Sequence, residues 1–573
     1  MKKLLYIAAA LMTALILFAF TRYQNQRSNT AVFYFNKNAV IHCTPDWKNL
    51  LPLIDQYGVP LLPGAGTYTW KINTKNDSAQ IYFNQGINTY YGFHTIEALA
   101  SFKKAALFDS TNAMVYWGQA LSYGPNINDN GYAMVPDAMT AVNKSLSLIN
   151  NASPEEKALI KAMSVRYNSD STISRAILNQ AYADAMKTAY EQFKSNPDVG
   201  ALYADALMVQ HPWDLWNNDG TPKEWTPRIE QVLEGILATT PLHPGANHYY
   251  IHTMEASPYA SKAMASADRL PGLTPGLSHM VHMPSHIYLR TGNFNKAVDL
   301  NTDAVKQYQD YLSIYPDVQA NPFLYDLHNR HMKANCAMLA GRYADALSAA
   351  MELQANIDTS ELSLPAPLGN AVQQIYMTKA IVNVRFQKWD SIMLMSKPAS
   401  NHIYQSILYH FSRGMAYASK GQPDLAAQEQ MQLQNLIGDE SLKLAFITSS
   451  PFTEDAKVAN ETLLGAIAKS RNDIPTAIAH FSNAAQLEEH MNYTEPRDWM
   501  LNPKQYLGMA YLQAHQWKNA EDAFNRDMKV NALNIWSLQG LTEALKQQKK
   551  TKELAIVKKQ LQQASVKSEV QSL

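Results

Sequence analysis

The sequence predicts an all-α chain built as a solenoid of stacked helix-turn-helix pairs. Three observations predict it. A glycine, a small residue, an aromatic and a second small residue recur at fixed spacing, and copies of that register run through most of the chain. At 573 residues, the chain is also too long for one compact core.

The register is the strongest of the three. Gly86, Ala98, Phe102 and Ala105 stand at successive offsets of 12, 4 and 3; Gly465, Ala477, Phe481 and Ala484 repeat all three, and Gly508, Ala520 and Phe524 repeat the first two. Two antiparallel helices that cross closely need small residues at the crossing and an aromatic to fill the space beside it, which is the demand of a tetratricopeptide repeat (TPR). Looser copies surround Tyr288, Gly292 and Ala297, then Gly341, Tyr343 and Ala346, then Gly414, Tyr417, Gly421 and Ala426. Such pairs cannot bury their apolar faces alone. They stack into a right-handed superhelix whose concave groove is lined mainly by the first helix of each pair.

The N-terminus differs. Lys2 and Lys3 precede a mostly apolar run from Leu4 to Phe20, which reads as an export signal, either a cleaved signal peptide or a retained membrane anchor. Any membrane contact is expected only through residues 4–20, with the remainder exported to the periplasm or cell surface. The expected organisation is therefore a signal or anchor over 1–30, an N-terminal arm or cap over 31–75, a first repeat array over 76–345 and a second over 346–573. The arm lacks the repeat register and carries Pro45, Pro52, Pro60 and Pro63 with Gly58, Gly64 and Gly66. Two irregular stretches, Gly124 to Asp137 and Trp213 to Trp225, read as loops inserted between repeats, and such insertions tend to gather on a binding face.

Charge and cysteine usage exclude several classes. Lys plus Arg number 49 and Asp plus Glu 49, so there is no basic footprint for nucleic acid. The two cysteines, Cys43 and Cys336, are far apart and exclude a zinc-thiolate site, though one bridge between them is allowed. No nucleophile elbow, phosphate loop or dinucleotide fingerprint is present.

Histidine is the loaded residue. Nine of the 16 histidines lie between His211 and His331. His248, His252 and Glu255 share one helix face at i, i+4 and i+7, and the next candidate helix carries His279, His282 and His286 at i, i+3 and i+7, with Pro284 among them to kink the axis or begin a new helix. A later helix puts His328, His331 and Asn335 on one side. Imidazoles at such spacing from separate helices are how a helical scaffold holds a metal, and imidazole with carboxylate and no thiolate suits zinc, iron or copper. His248, His252, Glu255, His282, His286, His328 and His331 are the predicted ligands, with Glu255 also the candidate general base. His243 and His279 are read as bystanders, His211 as a loop residue, and the other histidines receive no role. Met280, Met283 and Met332 read as core, and the segment Tyr493 to Trp499 as a cap rather than a groove lining.

In the strings that begin at Ala113 and run through Trp117 and Gly118, at His243 through His248 to His252, at His282 through His286, and at Glu495 through Trp499, the chain resembles a widespread group of bacterial TPR proteins. The resemblance spans roughly residues 75–545. It implies the repeat fold and the site's location, and no activity or substrate. One departure is visible: the group often reads Phe-Asn-His near the first repeat, where this chain has Phe93, His94 and Thr95, and this takes His94 out of any expected role.

The leading expectation is thus an exported repeat protein whose groove carries a transition-metal site of possible catalytic use on a small molecule. The alternative is a scaffold that binds a peptide or protein partner in the groove without metal.

Overall fold

The structure, a computed structural model, describes residues 45–128, 132–318 and 323–570. The predicted signal or anchor, His42 and Cys43 lie outside them. Among the described residues there are helices and two isolated bridges, Trp216 with Pro222 and Ala445 with Pro451. No helix among them is long and apolar enough to cross a membrane. The fold is the TPR-type solenoid that the register predicts.

Its local cause is one turn used repeatedly. Eight helix pairs are joined by three-residue turns whose central residue is left-handed: Phe93, Gly292, Gly341, Gln387, Gly421, Asn472, His515 and Lys549, with φ between 56° and 78°. In each, the amide after that residue donates to the carbonyl five residues back, as His94 does to Thr89 at 2.9 Å and Asp473 to Ala468 at 2.9 Å. This is the bond that closes a helix C-terminus with a left-handed cap. N-termini are closed by side chains, such as Asn76 on Ala79, Asn534 on Ser537, and Ser153 with Glu156 in a reciprocal box.

The glycines of the register sit where a side chain cannot. A Cβ on Gly86 would lie 2.6 Å from the Phe102 ring, on Gly465 2.6 Å from Phe481, and on Gly508 2.5 Å from Phe524. The same rings also abut the next repeat: Gly118 faces Phe102 and Gly540 faces Phe524. Each of these two aromatics therefore locks its own pair and the following one together.

Stacking brings distant segments into contact. The main core runs from Trp47 to Leu501, and the arm joins it through Trp47, Trp70 and Ile72. Gly276 donates to the Gly64 carbonyl at 2.8 Å in a backbone approach that only glycine permits. The last repeats fold back on the middle ones: Trp536 Nε1 donates to the Met338 carbonyl at 2.8 Å, and Glu569 N to that of Gly341 at 2.8 Å. This curl is what carries a C-terminal loop, residues 491–502, over helices from the first half.

Candidate metal centre

Three helical elements supply the imidazoles. The Pro244–Met254 helix starts with proline at its first position and His243 as its cap, and it presents His248 and His252 one turn apart. Ser278–His282 and Pro284–Arg290 are joined by Met283, itself helical at φ −50° and ψ −38°, so His282 and His286 remain neighbours despite Pro284. A short π-helix, Phe323–Leu327, leads into His328–Leu339. Such π-turns recur where a side chain must be re-aimed at a site.

The rings gather in two groups of three. One ring nitrogen from each of His248, His252 and His279 lies within 4.8 Å of the others, and the same holds for His282, His286 and His328. In the second group the Nε2 atoms crowd together: His282 Nε2 is 2.8 Å from His286 Nε2 and 3.1 Å from His328 Nε2. A tetrahedral ion with bonds of about 2.0 to 2.1 Å places its donor nitrogens about 3.3 Å apart.

Each ring is oriented from its far side. His248 Nδ1 lies 2.6 Å from the Tyr91 carbonyl, which only accepts, so the proton sits on Nδ1 and Nε2 is left bare. His282 Nδ1 faces Asn301 Oδ1 at 2.6 Å; that orientation of the amide is set because Asn301 Nδ2 donates to the Ala297 carbonyl at 2.8 Å. His252 Nδ1 donates to Glu255 Oε1 at 2.8 Å. These are the arrangements that present Nε2 to a metal with its tautomer fixed.

The carboxylates act on Nδ1 edges. Glu255 Oε2 lies 2.8 Å from His286 Nδ1, and Glu495 Oε2 lies 2.5 Å from it. Burial lowers the basicity of His286, but the charges of Glu255 and Glu495 outweigh it and raise it well above the usual histidine value. Burial would raise Glu255, yet His286 and His252 hold it below the usual carboxylate range, while burial raises Glu495. Glu255, His286 and Glu495 also form a ligand-spaced trio. An imidazolium between two carboxylates already satisfies that trio, whereas the three crowded Nε2 atoms find no such partner in a proton, which can bridge only two of them.

In five other rings no carboxylate outweighs burial. His248, His279, His282 and His328 are pushed well below the usual histidine value by burial and then by neighbouring imidazoles, and His331 by burial to about 4. They are neutral at pH 7, with lone pairs free to ligate.

A cavity of about 190 Å³ opens beside both groups. His252, His279, His286, His328 and His331 face it, with apolar walls from Phe323, Phe446 and Phe452 and a polar edge from Thr494, Glu495 and Arg497. Trp213 meets His252 edge-on at 5.4 Å, so an inserted loop reaches the site, and Asn128 reaches it from another.

The predicted residues are thus distributed as follows. His248 and His252 fall in one group, and His282, His286 and His328 in the other. His331 lines the cavity but joins neither, and Glu255 faces the Nδ1 edges of His252 and His286. His279, read as a bystander, belongs to the first group. His243 caps a helix through Nδ1 on Ala246 N at 3.0 Å and meets Asp198 through Nε2. His211 stacks on Trp225. Cys336 is buried in the core, as are Met280 and Met332. Glu495, placed in a cap by the sequence, stands against His286; Tyr493 ties that loop to the histidine helix through its hydroxyl on the Glu255 carbonyl at 3.1 Å. The only sequence signal for Glu495 is the Glu-Pro-Arg-Asp-Trp string.

Neither a family model nor a curated protein sequence matches the chain. Among solved structures, a human IFIT1 dimer with m7Gppp-AAAA is similar at 13% identity and TM-score 0.31, over 91% of this chain and 94% of that one. Yeast Tom70 is similar at 12% identity and TM-score 0.28, over 85% and 93%. The TPR domain of P58(IPK) is similar at 12% identity and TM-score 0.21, over 83% and 99%. Likeness of this degree carries no argument about what the chain does.

Proposed function

We propose that this chain is an exported metalloprotein in which a repeat solenoid holds a transition metal on buried imidazoles beside a small cavity. One observation carries the reading: His282, His286 and His328 bring three Nε2 atoms together, and the outer edges of His282 and His286 are tied to Asn301, Glu255 and Glu495. His282 and His328 are neutral nitrogen donors, and His286 becomes one when an ion displaces its Nε2 proton; with no thiolate, this set suits zinc, iron(II) or copper(II). An ion there would supply Lewis acidity to a molecule in the cavity. At about 190 Å³ the cavity has room for a small molecule or a single side chain. Export rests on the Lys2, Lys3 and Leu4–Phe20 pattern of the sequence.

A scaffold that grips a peptide or protein is the common use of such arrays. It would place histidines at an open surface, whereas His248, His252, His282 and His286 are 0 to 5% exposed. Elemental analysis of protein purified without added metal separates the readings. Stoichiometric zinc, iron or copper that is lost in a His252→Ala, His286→Ala double variant supports the metalloprotein. Metal-free protein whose thermal stability ignores chelators supports the scaffold.

A further inference from the structure

We infer that the chain binds two metal ions, the second on His248, His252 and His279 beside the first on His282, His286 and His328. This inference rests on the metalloprotein reading and extends it to stoichiometry. The second group has its own grounds. His248 and His252 donate from Nδ1 to Tyr91 and Glu255, which leaves both Nε2 atoms bare; both are buried and unpartnered. Both ring nitrogens of His279 are buried and unpartnered as well. One water could donate to the His248 and His252 Nε2 atoms and accept from an N–H of His279 but would leave the other His279 nitrogen unpartnered, whereas a cation takes a lone pair from each of the three rings at once.

The two groups are contiguous. His279 and His282 have ring centroids 6.1 Å apart, and His252 and His286 6.4 Å apart. Glu255 spans them, with Oε1 on His252 and Oε2 on His286, so one carboxylate orients a ligand of each ion. Its charge and that of Glu495 offset part of the charge that two divalent ions would bring into a buried place. The donor set is imidazole alone at both positions, which selects borderline first-row ions over calcium or magnesium.

Cobalt(II) titration of the full-length metal-free chain, followed by its visible d–d absorption, tests this. Two equivalents at saturation are expected. A His248→Asn, His279→Asn variant should saturate at one equivalent, as should a His282→Asn, His328→Asn variant. Saturation of the native chain at one equivalent overturns the second ion and leaves the first standing; no uptake at all overturns both. If either variant fails to fold by circular dichroism, the native titration still decides.

Discussion

Asn301 holds the ring of His282 in one orientation, with Oδ1 2.6 Å from Nδ1 and its own amide nitrogen committed to the Ala297 carbonyl. Neither group can turn without breaking a buried hydrogen bond, and this is how a ligand is set before its ion arrives.

Replacing that partner should therefore weaken metal binding without touching a ligand. Asn301→Ala is expected to lower affinity about 10- to 100-fold. Competition against a chromophoric chelator measures it. Unchanged affinity would mean that the ring is held by its packing alone.

Glu255 sits buried between two imidazoles, so removal of its charge leaves His286 facing Glu495 alone. Breaking a buried pair from one side costs about 3 to 5 kcal/mol. Glu255→Ala should lose that much in urea unfolding of the metal-free chain, and Glu255→Gln less. A loss below about 1 kcal/mol would show that Glu495 suffices.

The repeat register makes a paired prediction. A Cβ on Gly540 would come within 2.1 Å of the Phe524 ring, whereas one on Gly235, on the solvent side of its helix, meets nothing within 4 Å. Gly540→Ala should destabilise by about 1 to 3 kcal/mol, and Gly235→Ala should stabilise by roughly 0.5 to 1 kcal/mol. Unfolding midpoints that move in the same direction would contradict the packing described.

A pH effect lies away from the histidines. Burial pushes the Asp205 carboxyl up to about 6, against Arg166 and the Tyr90 hydroxyl that donates to it at 2.7 Å. Between the unfolded value near ~3.9 and 6, the folded chain holds a proton that the unfolded chain has released. Stability from this group is thus present below that window and is lost as pH rises through it, by about 3 kcal/mol. Asp205→Asn should remove this slope relative to the native chain in unfolding measured from pH 4 to 7; parallel curves would contradict it.

Much of this was legible in the sequence, for physical reasons that differ by residue. Gly86, Gly465 and Gly508 were readable because a tight helix crossing tolerates nothing larger, and the offsets to their aromatics are fixed by helix geometry. His248 with His252, and His282 with His286, were readable because four residues return to one face. His279 stands at ligand spacing from His282, but its meeting with His248 and His252 on another helix is set by packing, which spacing does not show. His331 shares a face with His328 and both line the cavity, yet only His328 reaches the other rings. Glu495 lies more than two hundred residues from His286, and only the backward curl of the solenoid joins them.

X-ray absorption at the metal edge of the full-length, as-purified protein tests the central claim most directly. A first shell of nitrogen at about 2.0 to 2.1 Å, with the outer-shell scattering of at least three imidazoles, is the predicted result. An absent edge, or a first shell of oxygen or sulfur without imidazole scattering, would contradict it.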